Sequence, residues 1–146
     1  MFKFSLEMVL KQRRILEENA ARALAEVEAK LEIVQEKLAQ LERYQVKDRQ
    51  MSLEALTKGL PVAEMELARF REVKFMHEVN SNRELLAAIE HDKVVKDAEL
   101  IACVKDRRLL EKVREQHLQE WRREQELLER KNLDEVAIIR AARQKK

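Results

Sequence analysis

The chain has 146 residues, 40% of them charged and 45% hydrophobic, with only 4% aromatic and a single glycine, proline and cysteine. That composition belongs to long helices and coiled coils and leaves too little Gly, Pro, Asn and Ser for the frequent loops of a wide-cored globular domain. Thirty basic residues nearly balance 28 acidic ones, 11 against 10 up to Lys58 and 19 against 18 after it, so no polybasic arm exists to draw nucleic acid or acidic lipid.

The opening Met1-Phe2-Lys3-Phe4-Ser5-Leu6-Glu7 carries charge too early for a secretory apolar core, and no apolar run approaches membrane-spanning length. Lone Cys103 excludes an internal disulfide and suits a reducing compartment. A cytosolic, soluble chain is expected.

A first helix is predicted over about residues 4–58. Leu24, Val27, Leu31, Val34, Leu38 and Leu41 fall at alternating three- and four-residue steps, a heptad seam. Upstream, Leu6, Val9, Leu16, Ala20 and Ala23 make a looser stripe, Arg13 stands where an apolar residue is expected, and joining that stripe to Leu24 calls for a stutter. Glu7/Lys11, Glu18/Arg22, Glu26/Lys30 and Glu54/Lys58 are i,i+4 pairs of a solvated face.

Thr57-Lys58-Gly59-Leu60-Pro61-Val62 holds the only glycine and the only proline. Gly59 can take the left-handed conformation that closes a helix, and Pro61 suits the opening of the next, which places a turn at about 58–61. A second helix is predicted over about 62–143, with Met65, Phe70, Val73, Met76, Leu86, Ile89, Val94 and Val95 beginning a broad stripe. Asn80-Ser81-Asn82 is a run of poor helix formers where the helix frays or bends without ending.

The fold class that follows is all-α: one domain over 1–146, an antiparallel two-helix coiled-coil hairpin with an overhanging C-terminal helix, monomeric when free. Folding at Gly59 makes residues face each other when their numbers sum to about 120. Leu31 then lies near Ile89 and Phe4 near Gln116, and residues beyond roughly His117 have no partner. That surplus carries Leu118, Trp121, Leu127, Leu128, Leu133, Val136, Ile138 and Ile139, an apolar set that reads as a binding surface. Self-association and terminal disorder are the alternatives.

Catalytic constellations are missing. One glycine cannot build a nucleotide-phosphate loop. Three residues before His77, His91 and His117 stand Lys74, Ala88 and Arg114, where di-iron bundles need Glu. His117 and Glu120 have a metal-capable spacing without a second cluster, and Cys103 reads as a small core residue. No enzyme activity, cofactor or metal is expected. Tyr44, with Leu41 beside it, Phe70 and Val73 expected opposite and His77 a turn away, is either ordinary packing near the turn or an anchor on the flank.

Three stretches resemble the FliJ family, small soluble components of the bacterial flagellar type III export apparatus. They are Phe2-Lys3-Phe4-Ser5-Leu6-Glu7-Met8-Val9-Leu10 followed by Arg13-Arg14; Leu41-Glu42-Arg43-Tyr44-Gln45 with Arg49 ahead of Gly59; and Arg122-Arg123-Glu124-Gln125-Glu126 through Lys131-Asn132-Leu133-Asp134-Glu135-Val136-Ala137 with a basic finish. Asp48 stands where the family often has an aromatic. The resemblance implies a coiled coil similar to the central stalk of rotary ATPases. Such a protein binds the export ATPase and promotes its ring assembly, contacts the cytoplasmic domain of the export gate, and handles export chaperones. It is cytoplasmic and reaches the inner membrane only peripherally, through the apparatus. Carried onto this chain, Leu41, Tyr44, Val73 and His77 become gate-side residues, and Arg13, Arg14, Trp121, Leu133, Asp134 and Glu135 become ATPase-side residues. The equivalent stalk of a virulence-type secretion system, and a generic parallel coiled-coil dimer kinked at Gly59-Leu60-Pro61, are the rival readings.

Overall fold

The computed structural model describes residues 1–59 and 61–145; Leu60 of the expected turn and Lys146 of the basic finish lie outside the described residues. Among these the chain forms α1 (Glu7–Thr57) and α2 (Val62–Gln144), packed as a two-helix hairpin with no strand. The break between them is built as its residue types dictate. Thr57 Oγ1 donates to the Glu54 carbonyl at 2.6 Å, and the amides of Lys58 and Gly59 reach the Ala55 and Leu56 carbonyls at 3.2 and 3.3 Å. Gly59 has φ of 80°, a left-handed conformation that costs a residue with a Cβ about 1–2 kcal/mol. Pro61 has no amide to donate, but its carbonyl accepts from Glu64 at 3.0 Å and Met65 at 3.2 Å and so opens α2.

The structure divides into two compact units, Asn19–Leu100 and Met1–Glu18 with Ile101–Lys146. In the first, Val34 and Leu38 of α1 pack with Phe75 and Val79 of α2, flanked by Leu41, Leu86 and Ile89. Phe70 and Val73, expected opposite Leu41 and Tyr44, are instead 68% and 64% exposed, and Met65 and Met76 are exposed as well. The five residues from Phe70 to Phe75 turn a helix by roughly 140°, so the two sets cannot share a face. Phe75, Val79, Asn82, Leu86 and Ile89 keep the alternating spacing and win the seam. The helix runs unbroken through Asn80-Ser81-Asn82; Asn82 is buried and its Nδ2 donates to the Glu78 carbonyl at 2.8 Å, which removes the reason to fray.

In the second unit Leu10 is fully buried and Phe4 nearly so, while Leu6, Val9 and Leu16 of the expected stripe face solvent. The buried and half-buried positions of α1 run Leu10, Arg13, Glu17, Ala20, Leu24 and onward in uninterrupted three- and four-residue steps to Asp48, Ser52 and Ala55. The expected stutter is therefore absent: Arg13 and Glu17 are members of the seam. Facing residues obey the antiparallel rule closely, with Glu28 meeting Lys93, Asp48 meeting Arg71 and Glu7 meeting Arg114.

α1 begins at Glu7, later than its expected start near Phe4, whose carbonyl accepts from the Glu7 amide at 3.2 Å. The residues before it are not helical and reach farther per residue than a helix does. Phe4 packs edge-on against His117, ring centroids 5.7 Å apart, and Phe2 reaches Trp121 at 6.0 Å. Pairing therefore extends past His117, and Leu118 and Trp121 are half-buried; full exposure begins after Gln125. Core register is checked by two substitutions. Phe75→Ala should lower the urea-unfolding free energy by about 3 kcal/mol, and Phe70→Ala should change it by less than about 0.5 kcal/mol. Equal losses would place Phe70 in the core.

Candidate partner interface

Two surfaces differ from the rest of the hairpin. In the unit that contains the turn, the seam changes character after Leu41 to Gln45, Asp48, Ser52 and Ala55, side chains too small or too polar to fill it. Gln45 Nε2 and Arg49 Nη2 donate to Glu72 Oε1 at 3.1 and 2.8 Å, and Arg71 Nε lies 3.6 Å from Asp48 Oδ1. The Arg49 hydrogen bond, aided by Gln45, holds the Glu72 carboxyl below its ordinary pKa. With no bulky side chain in the seam, a groove opens on each flank. One, of 640 Å³, is lined by Tyr44, Lys47, Asp48, Met51, Leu67 and Arg71 among others; the other, of 320 Å³, includes Arg49, Leu53, Leu56 and Glu72.

Tyr44 is 57% exposed at the edge of the larger groove. Of the two alternatives left by its position, the structure gives the exposed flank. Leu41, one turn earlier, is half-buried against the core. Val73 and His77 lie with Phe70 on the side of α2 turned away from Phe75, and Val73 lines a separate depression with Glu66, Arg69 and Phe70. The structure thus brings Leu41 and Tyr44 together and leaves Val73 and His77 on another face.

In the other unit, charged side chains bind α1 to α2. Arg13 Nη1 lies 3.4 Å from Asp106 Oδ2, and Arg114 Nε 3.2 Å from Glu7 Oε2. Arg107 pairs through Nε with Glu17 and through Nη1 with Glu111 at 2.6 Å, and Glu111 also takes Arg14 Nη2 at 3.4 Å. These four residues form one chain of charge. The Arg107 hydrogen bond, with help from Arg14, keeps the Glu111 carboxyl low, and Glu17 and Glu111 raise Arg107. Arg13 and Arg14 are therefore occupied within the chain, and Trp121 is partly covered by Phe2.

Leu133, Asp134 and Glu135 are exposed on the last turns of α2, where every described residue after Gln125 is exposed, including Leu127, Leu128, Val136, Ile138 and Ile139. They stand on the order of 40 Å along the helix from the Arg13 contact, so the ATPase-side residues do not form one cluster. Residues that the spacing alone did not single out are Phe75, Val79 and Arg107. The charge of Arg107, matched to Glu17 some ninety positions earlier, was the available signal.

Among the described residues no three His, Cys, Asp or Glu side chains are arranged to hold a metal ion, and no helix is long and apolar enough to cross a membrane. Each unit carries a region of exposed large apolar side chains, the kind of surface that a partner covers. Residues 2–146 match the family described as Flagellar FliJ protein. The chain belongs to the FliJ family. It is accordingly a component of the flagellar protein export apparatus, in a family that is non-catalytic. No curated protein and no solved structure matches it.

The depressed carboxyls give this FliJ-family chain a defined pH response. Because Glu72 and Glu111 are held below their unfolded-state values, their stabilisation is complete above the ordinary glutamate range, near pH 4.3, and is lost as pH falls through the lower folded-state values. The urea midpoint should be flat from about pH 7 to 5 and drop below about pH 4, and Glu72→Gln with Glu111→Gln should shrink that drop. An undiminished drop in the double variant would assign it to other groups.

Proposed function

We propose that this chain is a non-catalytic stalk of the flagellar export apparatus that engages the export ATPase through the end of α2 and the export gate through the flank near the turn. It promotes assembly of the ATPase ring and hands on export chaperones. It works at the cytoplasmic face of the inner membrane without inserting, and as a monomer when free. The observation that carries this reading is the stretch after Gln125, which keeps Leu127, Leu128, Leu133, Ile138 and Ile139 exposed with nothing among the described residues to cover them.

Such a helix regulates an ATPase by contacting subunit conformations unequally, since a ligand shifts an equilibrium only by its difference in affinity between states. On the gate side the reading rests on Tyr44, a residue type favoured as an interface anchor, beside a groove of 640 Å³. Leu41 then acts by holding α1 in place, while Val73 and His77 offer a second contact face on α2. Arg13 and Arg14 serve the ATPase side by fixing the paired end from which the rest of α2 projects.

ATP turnover of the purified export ATPase tests the assignment. The full chain should raise turnover, and a chain truncated after Gln125, which keeps the Phe2–Trp121 contact, should not. Equal stimulation by both would defeat the role given to the end of α2.

A further inference from the structure

Along α1 no residue between Leu10 and Val27 is buried; the seam positions in that interval are Arg13, Glu17, Ala20 and Leu24, the first two charged and the third small. On α2 no described residue after Asn82 is buried. Among the described residues, the buried side chains of the unit formed by Met1–Glu18 with Ile101–Lys146 are therefore Phe4 and Leu10 alone, both on the N-terminal segment. The rest of its grip is ionic. Glu7, Arg13, Arg14 and Glu17 pair with Arg114, Asp106, Glu111 and Arg107, through side chains that are 22 to 51% exposed. The much longer stretch 19–57 makes three such pairs with α2, from Glu28, Asp48 and Arg49.

Ion pairs that solvent reaches are weak and salt screens them, the screening length falling from about 10 Å at 0.1 M to about 3 Å at 1 M. Proteins open in cooperative pieces, and the pieces with few buried apolar contacts open first. Met1–Glu18 has the outline of such a piece. Its apolar anchors lie at its own end, its charged residues supply most of its remaining contacts, and the interval without a buried side chain separates it from Val27. While it is in place, Phe4 packs on His117, Phe2 stands 6.0 Å from Trp121, and Leu110, Val113, Leu118 and Trp121 are half-buried.

We infer that Met1–Glu18 is a strap latched to α2 by ion pairs, which lifts off as one unit while the core of Val34, Leu38, Phe75 and Val79 stays packed. Release bares Leu110, Val113, Leu118 and Trp121 and so lengthens the uncovered part of α2. Ionic strength sets how often that happens, because four screened pairs hold the strap down and two apolar side chains secure it. Nothing in this device requires the export ATPase or the gate.

Hydrogen exchange of the full chain, read amide by amide by NMR, tests the strap. Residues 11–18 should share one protection factor, at least about tenfold below that of residues 31–41. It should fall at least about threefold further between about 0.05 and 1 M NaCl, while residues 31–41 change little. Glu17→Gln, which removes the Arg107 pair, should lower protection at 11–18 and weaken its salt response; Glu28→Gln, which removes the Lys93 pair, should leave 11–18 unchanged. Equal protection in the two segments, protection at 11–18 that salt does not move, or a smooth rise in protection from the N-terminus inward, the pattern of simple fraying, would overturn the inference. So would a Glu17→Gln chain that loses protection equally at 31–41, since the segment would then open only with the whole hairpin.

Discussion

Two helices that touch along a seam have no third layer in which to hide a misplaced side chain, so their register must be encoded in the seam itself. Here the code is partly apolar and partly charged. Val34, Leu38, Phe75 and Val79 provide burial in the unit that contains the turn, where Asn82 sits as a buried polar residue satisfied by its own helix. Toward both ends of α1 the seam gives up apolar residues, and Arg13, Glu17, Gln45 and Asp48 take their places, each with a partner on α2. A slipped register would part these groups from their complements, a modest loss per pair for side chains that stay partly exposed but one repeated at each position along the seam.

The same substitution of polar for apolar residues opens the surface near the turn. Small and polar seam side chains near the turn leave grooves on both flanks, and the large apolar residues of that region, Tyr44, Met51, Leu67 and Phe70 among them, are exposed. At the other end the aromatics of the N-terminal segment close the paired region on His117 and Trp121. Past that point α2 keeps its spacing and loses its cover. In the unit that contains the turn, burial is thus concentrated at Val34, Leu38, Phe75 and Val79, and the seam nearer the turn is left half-exposed.

Much of this was legible before the structure. Gly59 and Pro61 marked the break because each does something to the backbone that no other residue does, and the facing rule followed from helix geometry. The Leu24–Leu41 seam was clear because its residues are all apolar. Two things were hidden for one reason: an apolar count cannot see polar residues that hold seam positions. Arg13 looked like an interruption requiring a stutter, when its partner Asp106 lies 93 residues away. On α2, Phe70, Val73 and Met76 have helical spacing as good as that of Phe75 and Val79, and buried Asn82 hides the longer run through Leu86 and Ile89 that packs Phe75 and Val79 on Val34 and Leu38. The reach of Phe2 and Phe4 was understated because the facing rule assumed helix up to residue 4.

Fold, family and surfaces converge on a chain whose long helix outlasts its own partner, and the whole account depends on α1 and α2 lying antiparallel in one register. Spin labels at Glu32→Cys and Glu90→Cys, both exposed positions, in a Cys103→Ser background measure this directly. Antiparallel packing at an interaxial spacing of 8–10 Å predicts one narrow distribution with labels within about 20 Å of each other. A distance on the order of 85 Å, that of a single uninterrupted helix, or a broad distribution from several registers, would contradict it.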